Sequence, residues 1–315
     1  MTTITSRRPA VSGLVNLGRL PWWAIIIAAT GLALTYAILA TPTYHETFSY
    51  LVDGVVVTLR IAFLAYFLAT IIGLITGLAR TSKNHVLFTA ATLYVETARG
   101  IPLIVLMLYV AYIIVPAFVS LLQTLGNWGL GLGQASLEPV FASLSGLSIR
   151  QVNTEMRGVI ALAIGYGAFE AEIFRAGIES ISRGQVEAAR SLGMTYFQAM
   201  RYIILPQAIR RVLPPLGNDF IACLKDSSLL TVLAVNELTQ LGRLRRASTF
   251  RVFETFNVVT YLYLAMTMAL STIVVLREAS VVSPTPTSLL KAEVLMPPLP
   301  RVAEEVMMER CDPAC

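Results

Sequence analysis

Apolar and polar stretches alternate along this chain on the scale of a bilayer rather than of a soluble core. Pro21 to Ala40 is an uncharged apolar run. At about 1.5 Å per helical residue it can cross a hydrocarbon core. It is longer than a usual signal-peptide core and no small-x-small site closes it, so it reads as a retained span rather than a cleaved leader. Val55 to Ala79 is a second apolar run, ended by the basic loop of Arg80, Lys83 and His85. A third, Leu87 to Leu122, is too long for one straight crossing. Its first part, Tyr94-Val95-Glu96-Thr97-Ala98-Arg99-Gly100-Ile101-Pro102, is half polar. That pattern predicts a helix that starts near the interface and breaks at Gly100 to Pro102. Residues 123–156 are Gly/Ser-rich and predict a long loop with room for a short surface helix. Val159 to Ala176, Gln207 to Leu238 (interrupted at Pro214-Pro215) and Phe253 to Leu276 are the remaining runs. The prediction is an all-α, polytopic membrane protein of about six transmembrane helices. No internal repeat is visible, which argues against an inverted-repeat secondary transporter.

Between the fourth and fifth runs lies a polar island. Ser182-Arg183-Gly184-Gln185 and Thr195-Tyr196-Phe197-Gln198 both fit the capping-box pattern, in which a hydroxyl and an amide reciprocally satisfy free backbone N–H groups. Gly193 suits a left-handed C′ position. Phe197, Met200, Arg201 and Ile204 recur at helical spacing, and Pro206 should end that helix and open the next. Two short helices around a Gly corner are therefore expected. The residues alone leave open an ordinary interfacial hairpin on lipid headgroups.

Composition supports the membrane reading. The chain has 315 residues, of which 56% are hydrophobic and 14% charged, whereas soluble domains carry about a quarter charged residues. The net charge of +5 requires no nucleic acid, because membrane proteins concentrate Lys and Arg in cytoplasmic loops. The N-terminal segment 1–20, the loop after Ala79 and the polar island are all basic, and six spans place them together in the cytoplasm, with both termini inside. Arg243, Arg245, Arg246 and Arg251 disagree, since this topology puts them outside. Cys223, Cys311 and Cys315 with His45 and His85 have no metal-ligand spacing, so neither a metal site nor a disulfide framework is expected. The Pro-crowded stretch 280–315 reads as a disordered or aberrant tail.

The motifs converge on one family. Glu187-Ala188-Ala189, three residues, Gly193, nine residues, then Ile203-x-Leu205-Pro206 matches the EAA signature of ATP-binding-cassette importer permeases at each defined position. Tyr94-Val95-Glu96 with Arg99-Gly100-x-Pro102-Leu103, Glu172-Ile173-Phe174-Arg175-Ala176-Gly177-Ile178, Leu213-Pro214-Pro215-Leu216-Gly217-Asn218 and Lys225-Asp226-Ser227-Ser228-Leu229 resemble the polar amino acid uptake branch. The resemblance covers about 55–276 and implies a five-helix type I importer core, with 21–40 an extra N-terminal helix and 123–156 an external loop. It implies that 182–206 is a coupling module, with Glu187, Ala188, Ala189, Gly193, Ile203, Leu205 and Pro206 serving contact with a cytoplasmic ATPase subunit. It also implies a second permease subunit, identical or homologous, and an extracytoplasmic amino-acid-binding protein. No Gly-x-x-x-x-Gly-Lys-Ser/Thr occurs in the chain, so ATP and Mg2+ are expected on the partner and no cofactor on this one.

Charges within the apolar runs are costly, roughly 2.5–3.5 kcal/mol each at mid-bilayer when unpaired. Glu172 with Arg175, and Glu96 with Arg99, stand one turn apart and are expected to pair. Lys225 and Asp226 are adjacent and each needs another partner. With Asn218 and Glu170 they are candidates for the translocation path, against a packing role. Two rival functions stand beside an importer permease: a stand-alone ion- or proton-coupled transporter or channel, and a membrane anchor that recruits an ATPase without transport.

Overall fold

The structure is a computed structural model and describes residues 22–131 and 137–282. The segment 1–20 and the tail from residue 283 onward lie outside the described residues. Every regular element among the described residues is helical: α1 (Trp22–Ala40), α2 (Pro42–Arg80), α3 (His85–Gly100), α4 (Leu103–Tyr109), α5 (Val115–Gly131), α6 (Glu138–Ser145), α7 (Thr154–Glu179), α8 (Arg183–Ser191), α9 (Tyr196–Ala199), α10 (Leu205–Asp226), α11 (Leu238–Thr249) and α12 (Val252–Val282). By length and composition three stretches can cross a membrane: Pro42–Arg80, Leu103–Gly131 and Val252–Leu276. The apolar stretch of α1 is shorter, and α7 and α10 carry more charge.

Helix α2 runs 39 residues, about 58 Å, nearly twice a hydrocarbon core. Its polar beginning is helical too, because Pro42 occupies the first helical position, where a missing N–H costs nothing. The break at Gly100–Pro102 forms as expected: Ile101 is extended and Pro102 caps α4. Between α4 and α5 the helix passes through a π turn at Val110–Ile114.

Three expectations are corrected. Among the described residues, the stretch 123–156 is largely helical rather than a loop. The end of α5 packs against α6 so closely that a Cβ on Gly126 would stand 2.4 Å from the Ser145 nitrogen. Second, α10 continues through Pro214-Pro215, and the interruption comes later, at a 3-10 turn over Ser227–Leu233 that ends on left-handed Ala234. The prolines forgo two N–H donors, but neighbouring helices hold such segments in membranes. Here the Tyr66 hydroxyl donates to the Leu216 carbonyl at 2.6 Å and Gly217 lies against Val274. Third, Pro206 does not separate two helices. A π turn at Met200–Ile204 joins α9 to α10, with Pro206 inside the first turn of α10, so the residue lacking an N–H falls where the ladder is already shifted.

The described residues form two compact units. One holds the residues up to Val57 with Asn236–Ala265. Within it, buried Glu237 caps α11, accepting from Thr239 N and Gln240 N at 2.7 Å and from the Tyr263 hydroxyl at 2.9 Å. Arg245 and Arg251 lie 3.4 and 3.8 Å from Glu46, and Arg245 sits over the Tyr50 ring. Arg245 and Arg251, which conflict with the orientation rule, are thus locally paired.

The other unit holds Thr58–Val235 with the residues from Met266. Helix α7 is its centre, packed against α3, α4 and α10. Small residues bring α2 onto it: a Cβ on Gly73 would lie 2.7 Å from the Glu170 Cβ, and one on Gly77 2.8 Å from the Ala171 carbonyl oxygen.

Candidate functional site

The polar island folds as two helices about a glycine corner. Gly193 takes φ +78°. Its N–H donates to the Arg190 carbonyl at 2.9 Å and that of Met194 to the Ala189 carbonyl at 3.1 Å, the paired pattern of a Schellman stop. The second capping box forms, with Thr195 N donating to the Gln198 side chain at 2.8 Å and Gln198 N to the Thr195 hydroxyl at 3.3 Å. The first does not: the Ser182 side chain caps nothing. Gln185 instead accepts from Gln207 at 2.8 Å, tying α8 to α10.

The surface of this corner differs from the motif in one respect. Glu187 and Ala188 are exposed, but Ala189 is buried within the chain, so the triplet presents two residues outward. Ile204 is also buried, Ile203 half-buried, and Leu205 and Pro206 exposed. Leu192 and Phe197 are 83% and 78% exposed, which adds two apolar contacts to the corner. Leu192 follows from its place before Gly193, where a helix end projects it outward. Phe197 stood on the expected apolar stripe, but the π turn rotates that stripe.

A polar interior lies between α2, α7 and α10. Glu170 is fully buried, and neither of its oxygens has a hydrogen-bond partner among the described residues. The Thr70 hydroxyl lies close to it but donates to the Tyr66 carbonyl at 2.9 Å. On α10, Asp219, Cys223 and Asp226 follow one another at helical spacing and face inward. Asp226 accepts from the Tyr166 hydroxyl at 2.7 Å, and one Asp219 oxygen is buried without a partner among the described residues. The predicted path residues therefore divide. Glu170 and Asp226 belong to this interior, whereas Lys225 and Asn218 are exposed. Asp219 and Tyr166 join it unforeseen, since neither belongs to a charge pattern visible along one helix. An apolar groove of about 460 Å³ runs beside it between α2, α7 and α10, lined by Leu74, Phe174, Ile178, Ala208 and Val212 among others.

Glu172 and Arg175 are paired through two contacts, one at 3.2 Å, and Arg175 also reaches Glu179 at 2.6 Å. Glu96 does not pair with Arg99. It lies 3.2 Å from Arg80, which also binds Glu172 at 2.8 Å. Arg99 sits over the Phe169 ring instead, 5.8 Å from its centroid. A contact between helices replaces one within a helix because Arg80, at the end of α2, projects into the space between α3 and α7.

Residues 69–282 match the family described as "Binding-protein-dependent transport system inner membrane component". The chain belongs to this family. It is a multi-pass membrane permease component, and this family component is not itself catalytic. It is 34% identical over 221 residues to the glutamine transport system permease protein GlnP of Escherichia coli (strain K12), covering 70% of this chain and 88% of that one. It is 38% identical over 226 residues to the probable glutamine ABC transporter permease protein GlnM of Bacillus subtilis (strain 168), covering 72% and 90%. Among solved structures, an amino acid ABC transporter crystallised with histidines matches with a TM-score of 0.60 at 34% identity, covering 77% of this chain and 98% of that one. A methionine ABC transporter at 20% identity, TM-score 0.54, shares the fold.

Proposed function

We propose that this permease is the membrane-spanning subunit of an ATP-driven importer of polar amino acids, with ATP and Mg2+ bound by partner chains. The observation that carries the reading is the corner at Gly193. A membrane chain here builds a compact, capped pair of short helices that turns Glu187, Ala188, Leu192 and Phe197 outward. Such a surface fits a groove in a soluble partner better than a headgroup layer, because its small residue allows close approach and its carboxylate suits a basic wall. Gln207–Gln185 and the Arg211 side chain, which donates to the Ser180 carbonyl, fasten the corner to α10 and to the end of α7. Movement of the corner is thereby passed to the helices that enclose Glu170 and Asp226. Those two carboxylates, with Lys225 and Asn218, are the candidate path residues, and their chemistry suits an ammonium and a carboxylate on the cargo. A second permease subunit completes the path, and an extracytoplasmic binding protein delivers the amino acid. The corner and both termini lie in the cytoplasm.

The test is reconstitution of the permease with its ATPase subunit in proteoliposomes. Accumulation of a polar amino acid that requires ATP and the binding protein, and persists when the membrane potential is collapsed, is expected. Uptake driven by a potential without ATP points to a stand-alone ion-coupled transporter. ATP hydrolysis without accumulation points to a membrane anchor.

A further inference from the structure

We propose that Arg80 is a positioning residue that joins the movement of the coupling corner to the helix break at Gly100–Pro102. The inference rests on the importer reading above. Arg80 ends α2 with its side chain only 10% exposed, donating at 2.8 Å to Glu172 on α7 and at 3.2 Å to Glu96 on α3. One guanidinium thus ties α2, α3 and α7 together. Its planar fork can serve two carboxylates at fixed angles, which an ammonium cannot. Its Nε is buried and has no partner among the described residues, so the two carboxylates are its charged contacts there. Glu172 lies seven residues before the end of α7, and α7 leads directly into the corner through Ser180, whose carbonyl accepts from Arg211. Glu96 lies one turn before Gly100, where α3 stops and Ile101 becomes extended. Helix α3 is already tied to α7, by the Tyr94 hydroxyl donating to the Ile164 carbonyl at 2.6 Å and by Arg99 over the Phe169 ring; what Arg80 adds is α2. The Arg80 bridge makes α2, α3 and α7 move together and places the bend at Gly100–Pro102. Glu172 keeps its bond to Arg175 in either case, so loss of Arg80 releases the end of α2 from α3 and α7 without unmaking α7.

The experiment uses the full complex, permease with ATPase subunit and binding protein, and compares amino acid accumulated per ATP hydrolysed. For Arg80→Gln, hydrolysis continues while the ratio falls about tenfold, in the upper part of the range for residues that carry coupling between sites. Arg80→Lys, able to hold one carboxylate at a time, falls between this and the wild type. Glu96→Gln, at a residue 63% exposed on its side chain, lowers the ratio with no loss of melting temperature, and the double variant Arg80→Gln/Glu96→Gln is no worse than Arg80→Gln alone. An unchanged ratio in Arg80→Gln and Glu96→Gln overturns the proposal. So does a parallel fall of hydrolysis, transport and melting temperature in both, because that pattern marks a merely structural residue. A wild-type complex that never links transport to ATP instead defeats the importer reading itself, and is recognised before any variant is compared.

Discussion

Glu170 is the residue at which burial and chemistry conflict most openly. A carboxylate with no exposed surface and no hydrogen-bond partner among the described residues is expensive to hold in a packed helix interface. Such a group persists where function requires it. Glu170→Leu, which removes the unpaired polar atoms, is expected to raise the melting temperature of the purified permease, with a gain on the order of 2 kcal/mol, while lowering amino acid transport. A lower melting temperature contradicts this, because it means that the carboxylate is satisfied by its surroundings. Gly193 poses the opposite case. Its φ of +78° excludes ordinary side chains although nothing lies within 4 Å of a Cβ built there. Gly193→Ala therefore costs only backbone strain, about 1–2 kcal/mol, and Gly193→Asn less. The measurement is retention of the ATPase subunit during co-purification, with Ala expected to weaken it more than Asn.

Between elements, the contact of α2 with α7 depends on the absence of side chains. A Cβ at Gly77 meets the Ala171 carbonyl oxygen at 2.8 Å and the Phe174 Cβ at 2.9 Å, and neither atom can rotate away. Gly77→Leu should therefore separate the helices, destabilise the permease by about 1–3 kcal/mol through overpacking, and loosen the Arg80–Glu172 contact near the end of the same helix. Thermal unfolding in detergent reads the first effect and the transport-to-hydrolysis ratio the second; a variant as stable as the wild type rules this out. Elements were legible in the sequence where the signal was local. The Gly100–Pro102 break, the Gly193 corner and the second capping box follow from backbone chemistry at those residues. Elements were misread where neighbours overrode the local signal. Pro214-Pro215 sits within a continuous helix, and in the Gly-rich stretch after residue 122 Gly126 and Gly129 serve close packing of α5 on α6 rather than flexibility.

For the whole molecule, the corner is expected to be the handle by which a soluble partner drives the membrane helices. Ala188→Trp, at an exposed residue, should leave the melting temperature unchanged and weaken ATPase-subunit binding at least about tenfold, the scale of an interface hot spot. Ala189→Trp should destabilise the permease itself, since Ala189 is only 1% exposed; equal effects at the two positions count against the docking geometry. By itself the sequence determined that this is a helical membrane protein, because long apolar runs and a low charge density cannot fold otherwise. It also determined the family, because the spacing of Glu187, Gly193 and Pro206 is a local property of one chain segment. Only the tertiary structure decided which charges meet. Arg80 is distant in sequence from Glu172, and Tyr166 from Asp226, so no periodicity along one helix links them. It likewise decided that Ala189 turns inward while Leu192 and Phe197 turn outward, since burial depends on the neighbours that packing supplies and not on the residue's own polarity.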